Sequence, residues 1–298
     1  MMLDFLRRRL DELVTGLFLI LVTVLTVLHP PVFTTGGGLL LARWLLSSAA
    51  ILVAVLLVAS RFSSRARNAL RFVIEWGIIL VAVVGYVSLR LLHASAITTW
   101  LGIPSFDHWM MDADVVLFGK TLYLWFDQWG LDHGVFLRIM SAFYALYPIV
   151  PPIFLAWFWF RHEIAQFYLV RRALIISYCL GYICYLVIPV AGPLSLLHSS
   201  TPTFLESTLV YSFLANNFRY SYDCFPSLHT ANPWLIVWLS RGKLPGWLMA
   251  GGIIAACGIT LSTIALQVHY GVDDLAAIAW VFLIAWMARA TLPRQQPS

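Results

Sequence analysis

Two stretches of this chain hold residue types that could do chemistry together. The first is Phe225-Pro226-Ser227-Leu228-His229. The second is Ser262, 33 residues after His229, followed by His269-Tyr270-Gly271-Val272-Asp273-Asp274. An imidazole attacks an electrophile through an unprotonated nitrogen, and a protonated one donates to a departing oxygen, so two histidines can divide those tasks. Ser262 and His269 are seven apart, two turns on one helix face, and His269 and Asp273 are four apart, within reach if the helix continues. A carboxylate on one ring nitrogen decides which nitrogen stays free. Hydroxyls such as those of Ser227 and Ser262, with backbone N–H groups, suit the non-bridging oxygens of a moving phosphoryl group. A metal site from His269, Asp273 and Asp274 is short of donors by comparison.

The elements that must position these groups are membrane helices. The 298 residues are 61% hydrophobic and 11% charged, against about 25% charged in a soluble domain, so there are too few charges to make a water-facing exterior. Runs long enough for a bilayer core of about 30 Å, or nearly so, occur at about 13–29, 38–59, 72–94, 135–160, 173–190, 229–240, 246–266 and 274–290. The predicted fold is an all-α, polytopic helical bundle of about eight spans. The runs do not alternate as barrel strands would. With the N-terminus in the cytoplasm, 14 of the 19 basic residues fall in inner segments, from Arg7, Arg8 and Arg9 to Arg289 and Arg294, with Arg171 and Arg172 in the third inner group. The other five are Arg43, Arg90, Lys120, Arg138 and Arg219. This positive-inside pattern predicts two cytoplasmic termini, with His229 and His269 on the outer face.

The net charge of +5 is spread as topology signals between apolar runs, which argues against nucleic acid as a partner. Cys179, Cys184, Cys224 and Cys257 show no metal-type or redox spacing. The first apolar run has no small-residue cleavage site and reads as a span. Gly36 to Gly38 lack phosphate-loop spacing and read as a turn. Glu75 is four residues after Arg71, as in a snorkelling ion pair. Residues 95–134 mix acids with aromatics and read as an amphipathic segment along the headgroups, most acids on its solvated face. This divides the chain into 1–94, with the extra spans, the interfacial segment 95–134, and a catalytic core, 135–298. Asp223, six residues before His229 in the long outer loop 191–228, is a further candidate contact.

Pro226-Ser227-Leu228-His229 and Ser262-Thr263 with His269 and Asp273 resemble the second and third signature motifs of the type 2 phosphatidic acid phosphatase superfamily. The forms Phe-Pro-Ser-Leu-His and His-Tyr-x-x-Asp are most similar to its inositol phosphorylceramide synthase branch. The resemblance covers roughly residues 105–290 and implies a six-helix core with two spans ahead of it. It implies that His269 is the nucleophile and forms a phosphohistidine, that Asp273 orients it, that His229 protonates the leaving group, and that no metal or other cofactor is needed. Two departures stand out. Thr263 replaces an arginine of the phosphatases, and the upstream Lys-(six residues)-Arg-Pro motif has its nearest match in Tyr185-(six residues)-Gly192-Pro193, without the cations. The synthase branch also lacks that pattern. Arg219, ten residues before His229, and Arg138, at the outer start of the fourth run, are the candidates to neutralise the phosphate.

The expected activity is transfer of a phosphoryl or phospho-headgroup from a phospholipid to an alcohol such as inositol or another polyol. The rivals are a lipid phosphate phosphatase, with water as acceptor, and a non-catalytic lipid carrier or scaffold. Short loops suit a bacterial inner membrane with a periplasmic site, and a luminal site in an endomembrane has the same pattern.

Overall fold

A computed structural model describes residues 13–18, 20–21, 58–59, 61–64, 66–77, 102–126, 134–196 and 222–290. Its principal helices are α1 (Asp107–Phe118), α2 (Gly134–Leu146), α3 (Val150–Phe160), α4 (Ile164–Val187), α5 (Leu228–Leu239), α6 (Gly246–Ala265) and α7 (Gly271–Ala290). Among the described residues the only β-type pairing is an isolated bridge between Val190 and Asp223. Helices α4, α6 and α7 are long and apolar enough to cross a bilayer, and α2 with α3, bent by 46°, make a fourth if the pair counts as one span. A 20-residue helix rises about 30 Å, the depth of the hydrocarbon core. Leu275, Ile278, Phe282 and Trp286 of α7 are exposed, an apolar stripe that suits lipid. The chain is an integral membrane protein with an all-helical fold.

The expected eight spans are met only in part. The runs at 13–29, 38–59 and 72–94 lie largely outside the described residues, as do Arg43, Arg90 and the triple glycine. The run at 135–160 is two helices, because Pro148 has no N–H to continue the ladder and the chain turns over residues 147–149 before Pro151 and Pro152 enter the first turn of α3. Helix α4 starts at Ile164, nine residues ahead of the predicted 173, and takes in Arg171 and Arg172, which are buried and not in a loop. The run at 229–240 becomes the twelve-residue α5, about 18 Å long.

Helix α5 is the centre of the bundle, in contact with α3, α4, α6 and α7. Its Ala231, Asn232, Leu235 and Ile236 are fully buried. Asn232 is held on both sides of its amide: Ser177 of α4 donates to Oδ1 (2.6 Å), and Nδ2 donates to the Tyr147 hydroxyl (3.1 Å). Trp280 of α7 donates to Ser177 Oγ at 3.0 Å. This network joins the α2–α3 bend, α4, α5 and α7, and a polar group with its partners inside the bundle avoids the cost of leaving it unmet in lipid. The N-terminal stretches lie against α4, with Phe18 on Tyr182 and Trp76 on Phe167 (ring centroids 5.5 and 5.9 Å).

The ion pair of Glu75 differs from the expected one. Its carboxylate pairs with Arg171 of α4 and accepts from the Tyr168 hydroxyl (2.6 Å), while Arg71 reaches the same Tyr168. The contact crosses between elements and does not run along one helix face, so it docks residues 66–77 onto α4. Replacing Glu75 by alanine leaves the Arg171 guanidinium buried without its counter-charge, and is expected to cost about 3 kcal/mol. Glu75→Gln, which still accepts from Tyr168, should cost less; thermal unfolding of the detergent-solubilised protein measures both.

Candidate active site

The connection from α6 to α7 is five residues long and folds back on the end of α6. Val268 and His269 both donate their backbone N–H to the Thr263 carbonyl, at 2.9 and 3.1 Å, and Gln267 takes a positive φ of 60°. Helix α6 therefore ends at Ala265, and His269 does not share a helix face with Ser262. Ser262 turns its hydroxyl back to the Ile259 carbonyl (2.7 Å) and is fully buried. Its neighbour Thr263 donates to Asp274 Oδ2 at 3.0 Å, and Thr230 of α5 donates to Oδ1 at 2.6 Å. Thus Asp274 latches α5, α6 and α7 together, a role the sequence did not reveal.

His269 and Asp273 meet as their spacing suggests, but across a turn, because α7 begins at Gly271. His269 Nδ1 lies 3.5 Å from Asp273 Oδ2, the oxygen that also accepts the Tyr270 N–H (3.0 Å). On its other side His269 Nε2 is 3.4 Å from His229 Nδ1. His269 and Asp273 are fully buried, whereas His229 is half-buried. His229 is the second residue of α5, whose N-cap Ser227 accepts the Thr230 N–H at 3.3 Å and also reaches Asp274. The rings of Tyr144 and Tyr147 pack on His229, at centroid distances of 4.7 and 4.2 Å. Tyr144 is placed there by the close approach of α2 and α6, where a Cβ on Gly258 would meet the Phe143 ring at 2.2 Å.

The facing nitrogens constrain the protons. When the Nδ1 proton of His269 points at Asp273, Nε2 carries a lone pair and accepts, and His229 Nδ1 must then be the donor. That tautomer gives one imidazole ready to attack and another ready to protonate.

Helix α1 corrects the reading of residues 95–134 at two of its acids, while Asp127 and Asp132 lie outside the described residues. Asp107 and Asp114, seven residues apart on one face, are buried, while Trp109, Val116 and Leu117 are exposed. Asp107 accepts the N–H groups of Ala191 (3.0 Å) and Gly192 (2.9 Å), the Tyr270 hydroxyl (3.0 Å), and a short bond from Ser105. Asp114 accepts from Leu122 N (3.0 Å), Gly271 N (3.0 Å) and Val272 N (2.8 Å), and so supplies a negative charge at the N-terminus of α7. Burial, and next the Asp107 carboxylate, push the Tyr270 phenol up, so it stays a donor. Asp112 is exposed, as expected of an interfacial acid.

The remaining sequence candidates fall into three groups. Asp223 is buried beside the site, bridged to Val190, one residue before the fully buried Cys224. Tyr185 sits in a buried row of rings along α4, 6.1 Å from Tyr182. Arg138 is exposed on α2, and Arg219 lies outside the described residues. Gly192 is required where it stands: its φ is 83°, and a Cβ would come within 2.3 Å of the Val268 carbonyl oxygen and 2.6 Å of Cys224 Sγ.

Each charged hydrogen bond contributes about 1.5–3 kcal/mol, so Asp114→Asn, which turns an NH2 toward backbone donors, should lower stability by about 3 kcal/mol. Thermal unfolding in detergent reads the loss, and Asp112→Asn, at the exposed site, should leave the midpoint unchanged.

A family model for the PAP2 superfamily matches residues 108–287, a span that opens inside α1 and closes near the end of α7. No curated protein and no solved structure matches the chain. A match over more than half of the chain, taking in both histidines, Asp273 and Asp114, establishes that this chain belongs to the PAP2 superfamily.

Proposed function

We propose that the protein is a lipid phosphotransferase that moves a phosphoryl or phospho-headgroup from a phospholipid to an alcohol through a phosphohistidine at His269. Membership of the PAP2 superfamily suggests a lipid phosphatase or phosphotransferase acting in the membrane. The single observation that carries the catalytic reading is the chain Asp273–His269–His229, with contacts of 3.5 and 3.4 Å.

In the first half-reaction the His269 Nε2 lone pair attacks phosphorus, the bond from phosphorus to the leaving oxygen breaks, and His229 Nδ1 gives that oxygen its proton. Asp273 holds the Nδ1 proton and offsets the positive charge that builds on the ring. For a phosphoryl group to sit between them, the nitrogens must open from the 3.4 Å contact. In the second half an alcohol gives its proton to His229, its oxygen attacks phosphorus, and the electron pair of the breaking P–N bond returns to His269. Arg138 and Arg219 are proposed to balance the phosphate charge, Ser227 and Asp223 to shape its surroundings, and Tyr185 and Ser262 to support the binding site from the buried layer beneath. Two carboxylates, Asp273 and Asp274, lie close to His269.

Room for an apolar tail supports a lipid substrate. A cavity of about 690 Å³ runs from Thr230 and Asp274, chain neighbours of His229 and Asp273, past Trp234, Ile278 and Phe282 to Arg241. The preference for an alcohol over water rests on the synthase-like motif forms and on Thr263 and Gly192 standing where phosphatases carry cations. The charge pattern of the loops supports a site on the non-cytoplasmic face, periplasmic in a bacterium, with both termini inside.

Purified protein given headgroup-labelled phospholipid, with and without inositol or another polyol, tests the reading. Transfer of label to the alcohol is expected. Release of phosphate at a rate that no alcohol alters would instead make the protein a phosphatase. Loss of the proton donor in His229→Ala should slow turnover by about 10²–10⁴-fold, and His269→Ala should abolish it; a cellular phenotype that survives His269→Ala would instead favour a carrier or scaffold.

A further inference from the structure

We infer that Cys224, His269 and Asp273 form a site for a thiophilic divalent cation, zinc above all, and that the bound ion switches the enzyme off. The inference rests on the assignment of His269 as nucleophile only for its inhibitory consequence; the binding itself stands on geometry. The three side chains come from three segments: the end of the outer loop, the α6–α7 connection and the first turn of α7. All three are fully buried, and their ligand atoms lie within 4.8 Å of one another. The sequence had offered Asp274 as the third donor, but that carboxylate is occupied by Thr230 and Thr263, and Cys224 takes the place.

The donor set is specific. Thiolate, imidazole and carboxylate are the ligands zinc takes, at about 2.3, 2.0 and 2.0 Å, and three protein ligands leave one position open. Hard cations such as magnesium prefer an all-oxygen shell and keep their waters. Charge also balances: a thiolate, a carboxylate and a neutral imidazole around a doubly positive ion sum to zero, the condition under which burying charge is tolerable. The thiol must move little, because Gly192 lets Cys224 pack against the connection, where Sγ lies 3.2 Å from the Val268 carbonyl oxygen.

Binding releases the thiol proton and shifts the Nδ1 proton of His269, on the nitrogen that faces Asp273, to Nε2, so the ring stays neutral. The cation then occupies the place of that proton, pulls density from the ring, and removes Asp273 from its partner. His269 Nε2 then carries the hydrogen and has no lone pair with which to attack phosphorus. Chelation returns the proton to Nδ1 beside Asp273, so the inhibition is reversible.

The test uses the full-length protein in detergent and two readouts. Cobalt(II) is added as a spectroscopic stand-in for zinc, and a thiolate-to-cobalt charge-transfer absorption is expected in wild type and lost in Cys224→Ser. This readout needs no substrate, so it decides the site even if the proposed reaction is wrong. Separately, lipid turnover is titrated with zinc chloride and then EDTA. Wild type should lose activity and regain it on chelation. Cys224→Ser should keep basal turnover and need at least about tenfold more zinc, the loss that even an outer-shell partner causes. If Cys224→Ser does not fold, Cys224→Ala carries the same comparison. Absence of the thiolate band in wild type, or equal zinc sensitivity with and without the thiol, overturns the site.

Discussion

Two imidazoles forty residues apart can touch only if the segments that carry them are fixed to a fraction of an ångström, and lipid offers no hydrogen bonds to help. The fixing is done by buried carboxylates. Asp107 gathers the loop after α4 and the Tyr270 hydroxyl; Asp114 gathers the first two N–H groups of α7; Asp274 gathers hydroxyls from α5 and α6. Each is satisfied by several donors, and this lets a charged group sit in the interior at tolerable cost. Remove that scaffold and nothing in the apolar packing specifies where His269 sits, because Leu, Ile and Phe contacts carry no direction.

The same arrangement puts the two histidines in different surroundings. His269 lies in the tight connection, fully buried, with Asp273 Oδ2 3.5 Å from its Nδ1. His229 opens α5, half-buried, between Tyr144 and Tyr147. These surroundings suit the proposed roles, since a nucleophile benefits from a fixed ring and a proton carrier from access to both the leaving group and the acceptor. The rest of the bundle serves this junction. The twelve-residue α5 need not cross the bilayer by itself, since it is sheathed by longer helices and its polar Asn232 is met on both sides.

What could be read from the sequence was whatever depends on local spacing. The apolar runs showed a membrane protein, the Ser-Leu-His and His-Tyr-x-x-Asp segments showed the family, and the four-residue step from His269 to Asp273 brought the correct pair together. The geometry of that pair was misjudged, because nothing in Leu266-Gln267-Val268 marks the end of α6 before His269. Asp107 and Asp114 were visible as a seven-residue repeat, but the rule that acids face solvent runs the other way when the outer solvent is lipid. Their exposed neighbours Trp109, Val116 and Leu117 were the signal for that inversion. Cys224 was out of reach, since its nearness to His269 depends on Gly192 and on contacts made across the chain.

The most direct measurement of the central claim is the position of the phosphoryl group during turnover. Protein quenched in alkali with phosphorus-labelled lipid, then mapped by mass spectrometry, should carry an acid-labile phosphoryl group on His269 and none in His269→Ala. A label found on His229, or steady turnover with no phosphohistidine at His269, would contradict the account.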